Sequence, residues 1–147
     1  MNYKRMKDIR ESHDLTQLEV AEILKVSRST YAGWENSIDP IPLNRLNDFC
    51  NYFKISFDYI CNLTNINKET TNKDISKESI GKRLKEVRTE NNDTQKYISY
   101  IIKTDQSNYS NYETGKTMIS TELIIEFAKH YNISIDYLLN KTNEKIK

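Results

Sequence analysis

Glycine and proline are nearly missing from this sequence, with three and two copies among 147 residues. So few turn formers speak against a sheet-rich fold, and the abundance of Leu, Ile, Glu, Lys and Asn predicts an all-α chain. Long apolar runs are absent too: no stretch of about 18 apolar residues occurs, and the first residues carry no apolar signal region. No membrane association is expected, and the cytoplasm is the expected compartment. Cysteine is confined to Cys50 and Cys61, histidine to His13 and His130, and no histidine stands at ligand spacing from a cysteine. No metal and no cofactor are expected. Gly33, Gly81 and Gly115 are too scattered to cradle a phosphate. With no Cys–His or Ser–His arrangement and with acids that read as solvated helix faces, no catalytic residue and no enzymatic activity are expected. Net charge is only +1, so bulk charge does not announce a nucleic-acid partner either.

What is present is a duplication. Shifted by 78 positions, residues 3–64 fall on 81–142 without a gap, and 19 pairs are identical. They include Arg5/Arg83, Arg10/Arg88, Gln17/Gln95, Lys25/Lys103, Tyr31/Tyr109, Glu35/Glu113, Asp58/Asp136 and Tyr59/Tyr137. A period this long, present twice, means two copies of one small domain rather than a solenoid. The expected division is a first domain at 1–64, a polar linker at 65–79, a second domain at 80–142 and a tail at 143–147. Cys50 and Cys61 align with Ala128 and Leu139, so both thiols read as buried core residues. The first copy holds 8 Lys and Arg against 9 Asp and Glu, while residues 80–147 hold 11 against 9.

Within the first copy, apolar residues recur at steps of three and four: Met6 and Ile9, then Val20, Ala21 and Leu24, then Tyr31 and Trp34, then Leu46, Phe49 and Phe53. That spacing predicts short amphipathic helices. Thr16, Ser27 and Ser56 stand where N-caps are needed. The predicted helices cover roughly 3–13, 17–24, 28–36, 43–53 and 57–62, with a second set 78 residues on. The linker is expected to be solvated, or to extend the following helix. Fully extended, it would reach up to about 50 Å.

The segment 16–36 reads as two helices joined by a three-residue turn, with small Ala21 at the crossing and Val26 plugging the turn. With Arg10 before it, Thr16-Gln17 opening the first helix, Val26-Ser27 before the second, Glu35 at its end and Ser56-Phe57-Asp58-Tyr59 beyond, this pattern resembles the Cro/phage-repressor (XRE) helix-turn-helix family. The resemblance covers nearly the whole chain, in two copies. It implies two tandem five-helix lambda-repressor-like domains and double-stranded DNA as partner, with transcription regulation, repressor-like, as the function.

In that family the third helix enters the major groove with its N-terminal residues at base edges. The resemblance places Arg28, Ser29 and Gly33 there in the first copy, and Gln106, Ser107 and Asn111 in the second. Gly33 has nothing to read with, so the two copies should prefer unlike half-sites. Gln17 and Gln95 are implied to touch phosphate, together with Thr30, Asn108 and Lys116. Arg10 with Glu35, and Arg88 with Glu113, match a structural ion pair of the family. Lys25 and Lys103 replace a turn glycine, which implies positive φ at a lysine. The second copy has a basic loop, Thr114-Gly115-Lys116-Thr117, where the first has Asp39.

Tyr31, Trp34, Tyr109 and Tyr112 read as core rather than as base-stacking residues. Phe57, Tyr59, Ile60 and their counterparts Ile135, Tyr137 and Leu138 lie on the last helices, which mediate dimerisation in many members of the family. Two arrangements stay open: a homodimer, or an intramolecular pseudo-dimer through the last helix of each copy. The alternative function is a protein-interaction module, antitoxin- or antirepressor-like, for which Leu18 and Ile23 at outward-leaning positions are the support.

Overall fold

The computed structural model describes residues 3–146, and among them every regular element is helical. The first set comprises α1 (Lys4–Ser12), α2 (Gln17–Ile23), α3 (Arg28–Glu35), α4 (Leu43–Phe53) and α5 (Phe57–Ile60). The second comprises α6 (Lys77–Glu90), α7 (Gln95–Ile101), α8 (Gln106–Thr114), α9 (Thr121–Tyr131) and α10 (Ile135–Leu138). None of these helices is long and apolar enough to cross a membrane.

Local chemistry sets the helix starts. Thr16 forms a reciprocal box with Glu19: the Glu19 N–H donates to the Thr16 hydroxyl, and the Thr16 N–H donates to the Glu19 carboxylate, both at 3.1 Å. Ser27, Ser56, Ser120 and Ser134 accept from the N–H three residues on, and Asp105 does the same for α8. α6 starts four residues before the expected position because Ser76 supplies a cap and Glu78 an acid for its first turn. α1 has no such side-chain cap. At the other ends, Lys54 and Asn132 adopt left-handed φ of 56° and 52°, and Gly115 closes α8 at 77°.

Each copy buries its apolar stripe. Met6, Val20, Ala21, Tyr31, Leu46 and Phe49 are fully enclosed in the first, and Leu84, Ile98, Tyr109, Ile124, Phe127 and Ala128 in the second. Trp34 is buried and Tyr112 half-buried, so the aromatic stripe is core. Cys50 and Cys61 are free buried thiols, and burial pushes both well above the ordinary thiol range.

The last helices join the two copies. α5 and α10 pack against each other, and each carries an aspartate that caps the other. The Asp136 carboxylate accepts from the Phe57 and Asp58 N–H groups, each at 2.9 Å. The Asp58 carboxylate accepts from the Ile135 N–H at 2.6 Å and from the Ser134 hydroxyl. Contact i-to-j answered by j-to-i is the signature of a two-fold interface, here closed within one chain. Both aspartates are buried, so the expectation that the acids are solvated fails at these positions. Around this centre, the Tyr3 hydroxyl donates to Glu122, the Thr121 hydroxyl donates to the Ile41 carbonyl at 2.6 Å, and buried Lys141 donates to Asn47 and Asn51 at 2.8 and 3.0 Å.

The segment between the copies is largely exposed to solvent, as expected, yet several hydrogen bonds hold it down. Asn67 accepts from the Ser56 N–H and donates to the Lys54 carbonyl. Asn47 and Asn51 both donate to the Lys73 carbonyl, and the Thr71 N–H donates to the Lys141 carbonyl at 3.0 Å. It is a strap across both copies, not an open tether.

Candidate nucleic-acid interface

Two exposed helix faces, one per copy, are presented by the same scaffold. α2 and α3 meet across the turn Leu24-Lys25-Val26. Ala21, fully enclosed, permits the close crossing, and its carbonyl accepts from the Val26 N–H at 3.0 Å. Lys25 takes a φ of 59° and Lys103 a φ of 63°. The lysines thus adopt the conformation that a glycine would hold at lower cost. In α7 the counterpart of Ala21 is Ser99, larger by one hydroxyl, buried with that hydroxyl donating to the Lys96 carbonyl at 2.9 Å.

On α3, Tyr31, Trp34 and Glu35 face inward, while Arg28, Ser29 and Thr30 are exposed at the first turn. On α8, Tyr109 and Glu113 face inward, Gln106, Ser107 and Asn108 are exposed, and Asn111 is half-buried. Thr30 and Asn108 also serve the caps: the Ser27 hydroxyl donates to Thr30 Oγ1 at 2.8 Å, and Asn108 Nδ2 donates to Asp105 at 3.0 Å. Lys116 is exposed in the loop after α8.

The orientation of α3 and α8 is fixed by twin ion pairs. Arg10 Nε and Nη2 donate to the two oxygens of Glu35, each at 2.8 Å, and Nη1 donates to the Leu15 carbonyl. Arg88 repeats this with Glu113, at 2.6 and 2.8 Å, and with the Asp93 carbonyl. The Glu35 and Glu113 side chains are 1% and 2% exposed, so these pairs are desolvated and bidentate rather than surface contacts. Burial disfavours ionisation of both carboxyls, yet the arginine hydrogen bonds overcome it and hold both below the ordinary carboxylate range.

Gln17 and Gln95, both half-buried, join this arrangement. Their amides donate to Glu35 and Glu113 at 3.3 and 3.1 Å, tying the start of α2 and α7 to the end of α3 and α8. Each amide nitrogen keeps a second N–H that this bond does not use. Of the apolar pair assigned to the outer surface, Leu18 is 50% exposed, but Ile23 is half-buried and packs on the core.

Three features of the scaffold escaped the sequence. Arg5 and Arg83 stack over Tyr59 and Tyr137, and each donates to the carbonyl of its tyrosine and to Thr64 or Thr142, locking the first helix of each copy to its last. Their identity between copies was the available signal. The same holds for Asp58 and Asp136. The position of Asp39 against α3 had no sequence signal beyond the glycine at residue 33.

Comparison with known proteins agrees with this geometry. Residues 6–60 match a family model described as Helix-turn-helix, and residues 81–144 match a second described as Helix-turn-helix domain. The chain is a helix-turn-helix protein of the Cro/phage-repressor (XRE) type, with two such domains. Among curated proteins it is 40% identical over 63 residues to the HTH-type transcriptional regulator ImmR of Bacillus subtilis, covering 43% of this chain and 50% of that protein. It is 33% identical over 64 residues to the HTH-type transcriptional regulator YobD of the same organism, covering 44% and 57%. It is 35% identical over 54 residues to the antitoxin PezA of Streptococcus pneumoniae, covering 37% and 34%. The matches therefore span between a third and somewhat over half of these relatives' lengths. No solved structure matches the chain significantly.

Proposed function

We propose that this protein binds double-stranded DNA sequence-specifically and regulates transcription, in the manner of a repressor, with α3 and α8 as the two recognition helices. The observation that carries this reading is the pair of exposed first turns, Arg28-Ser29 and Gln106-Ser107, each on a helix whose inner face is anchored by a buried Arg–Glu pair. Arginine pairs with guanine, and glutamine and asparagine with adenine. The two domains then read unlike half-sites, the second richer in adenine contacts. Two of the relatives are named transcriptional regulators, which supports the same reading.

A salt titration on mixed-sequence DNA tests it first: phosphate neutralisation gives an affinity that falls steeply as salt rises. Selection from a random DNA pool then yields the site. Arg28→Ala is expected to cost about 1–3 kcal/mol and to relax preference at one guanine-containing position. Uniform weakening on every sequence reduces Arg28 to a phosphate contact, and a perfect palindrome from the selection contradicts unlike half-sites.

The reciprocal α5–α10 contact supports a pseudo-dimer, one chain per operator. Single-domain members dock as two-fold dimers with recognition helices one helical turn, about 34 Å, apart. Here the two-fold is internal, so the second half-site contact is intramolecular and gains avidity without new contacts. Sedimentation of the complex is expected to give one chain per site; two chains per site overturns the pseudo-dimer. A second reading, a protein-interaction module, draws on exposed Leu18, Tyr97 and Tyr100 along α2 and α7 and on the relative named as an antitoxin. Absence of salt-dependent DNA binding would favour it.

A further inference from the structure

Gly33 is buried although its place on α3 is outward. At about 100° per residue it lies about 40° round the helix from exposed Ser29 and about 160° from enclosed Tyr31. What covers it is Asp39. A Cβ at residue 33 would collide with the Asp39 carboxylate, so that side chain occupies the space a residue 33 side chain would fill. The loop is held in place by its backbone, because the Ile38 and Asp39 N–H groups both donate to the Gly33 carbonyl, at 2.9 and 3.1 Å. In the second domain the Lys116 and Thr117 N–H groups make the same pair of bonds to the Asn111 carbonyl, at 3.0 and 3.3 Å. The two loops are thus equivalent, but α8 brings its own amide to this position, whereas α3 receives a carboxylate from the loop.

Resting on the proposed DNA-binding function, we infer that Asp39 is a specificity-determining residue of the first domain. Its carboxylate stands in for the side chain missing at Gly33 and accepts a hydrogen bond from the amino group of a cytosine in the major groove. An ionised carboxylate only accepts, whereas the Asn111 amide both donates and accepts. Carboxylates pair with the cytosine N4 amino group, and the keto edges of guanine and thymine offer them only another acceptor. With Arg28, a pure donor, exposed in the first turn of the same helix, the first domain reads one acceptor-rich edge and one donor edge. Asn111 imposes no such polarity on the second.

The test uses the full chain and the site obtained by selection. The wild type is expected to prefer cytosine at one base pair of one half-site by about tenfold, and Asp39→Ala to lose that preference while the other half-site is unchanged. Asp39→Ala also tightens binding to mixed-sequence DNA, since a negative charge facing the phosphates is removed. Gly33→Ala, which leaves the carboxylate in the protein but displaces it from this position, is expected to lose the same preference. Asp39 is exposed, so its replacement leaves the core intact. An unchanged profile in Asp39→Ala overturns the inference, as does uniform tightening on all sequences, which reduces the carboxylate to a repulsive charge. A preference for adenine instead of cytosine at that pair overturns the base assigned. A wild type that binds no DNA at any salt overturns the proposed function itself, and this inference with it.

Discussion

Moving the protein from about pH 7.5 to about pH 5 is expected to raise its melting temperature by several degrees, the reverse of ordinary acid destabilisation. The cause lies between α5 and α10. Burial, and then the facing Asp58 carboxylate, push Asp136 from 3.8 up to about 7, against the two backbone N–H groups that favour its charged form. Between those values the folded chain holds a proton that the unfolded chain has released. Stability therefore falls as pH rises through this range, by at most about 1.4 kcal/mol per unit. The surroundings include Lys141, Cys50 and Cys61 in the buried junction, and Lys68, Glu69 and Glu144 around the small recess over the pair. Glu35 and Glu113 do not mask the effect. Their depressed values give stability that is present above the ordinary carboxylate pKa and is lost only at lower pH. Asp136→Asn imitates the protonated acid, so its melting temperature should be nearly flat across the same range. A wild-type melting temperature that climbs towards neutrality, or an Asn variant that keeps the slope, refutes this account.

Glu113→Ala is expected to cost about 3 kcal/mol, because it strands a desolvated arginine and removes the acceptor of Gln95. Glu35→Ala should cost a similar amount through Arg10 and Gln17. For domains this small, that is a large share of the total stability. The equivalence is the informative part: the two losses should match to within about 0.5 kcal/mol and add in the double variant. Denaturant titration measures both. A near-neutral Glu113→Ala would mean that Arg88 finds full solvation elsewhere.

Local features of the fold were legible because their causes are local. Thr16, Ser27 and Ser56 mark helix starts within three residues of the groups they cap, and the apolar steps from Val20 to Trp34 give the inward faces without further information. The Arg–Glu pairs were legible through the family pattern. The family pattern also offered a pairing of the last helices of the two copies as one of two arrangements, but the reciprocal aspartate caps within that junction were not legible. Asp58 acquires its partner 77 residues away at Ile135, and nothing in the flanking sequence separates it from a solvated acid. The strap was illegible for the same reason, since Lys73 owes its order to side-chain amides on α4 and Asn67 to backbone groups around α5. Asp39 is the sharpest case at the candidate site. A glycine on the reading face looks like a gap until the loop that fills it is seen.

The reciprocal caps of Asp58 and Asp136 also bear on dose. Two separate subunits meet at a rate set by the square of their concentration, so a regulator that must dimerise first responds to its own abundance with a threshold. When both halves of the two-fold sit on one chain, their pairing is independent of how many copies the cell holds. Under the proposed reading of one chain per operator, occupancy then follows the number of molecules in simple proportion until saturation. A cell carrying such a protein at a few copies has the same fraction of assembled reading heads as one carrying hundreds.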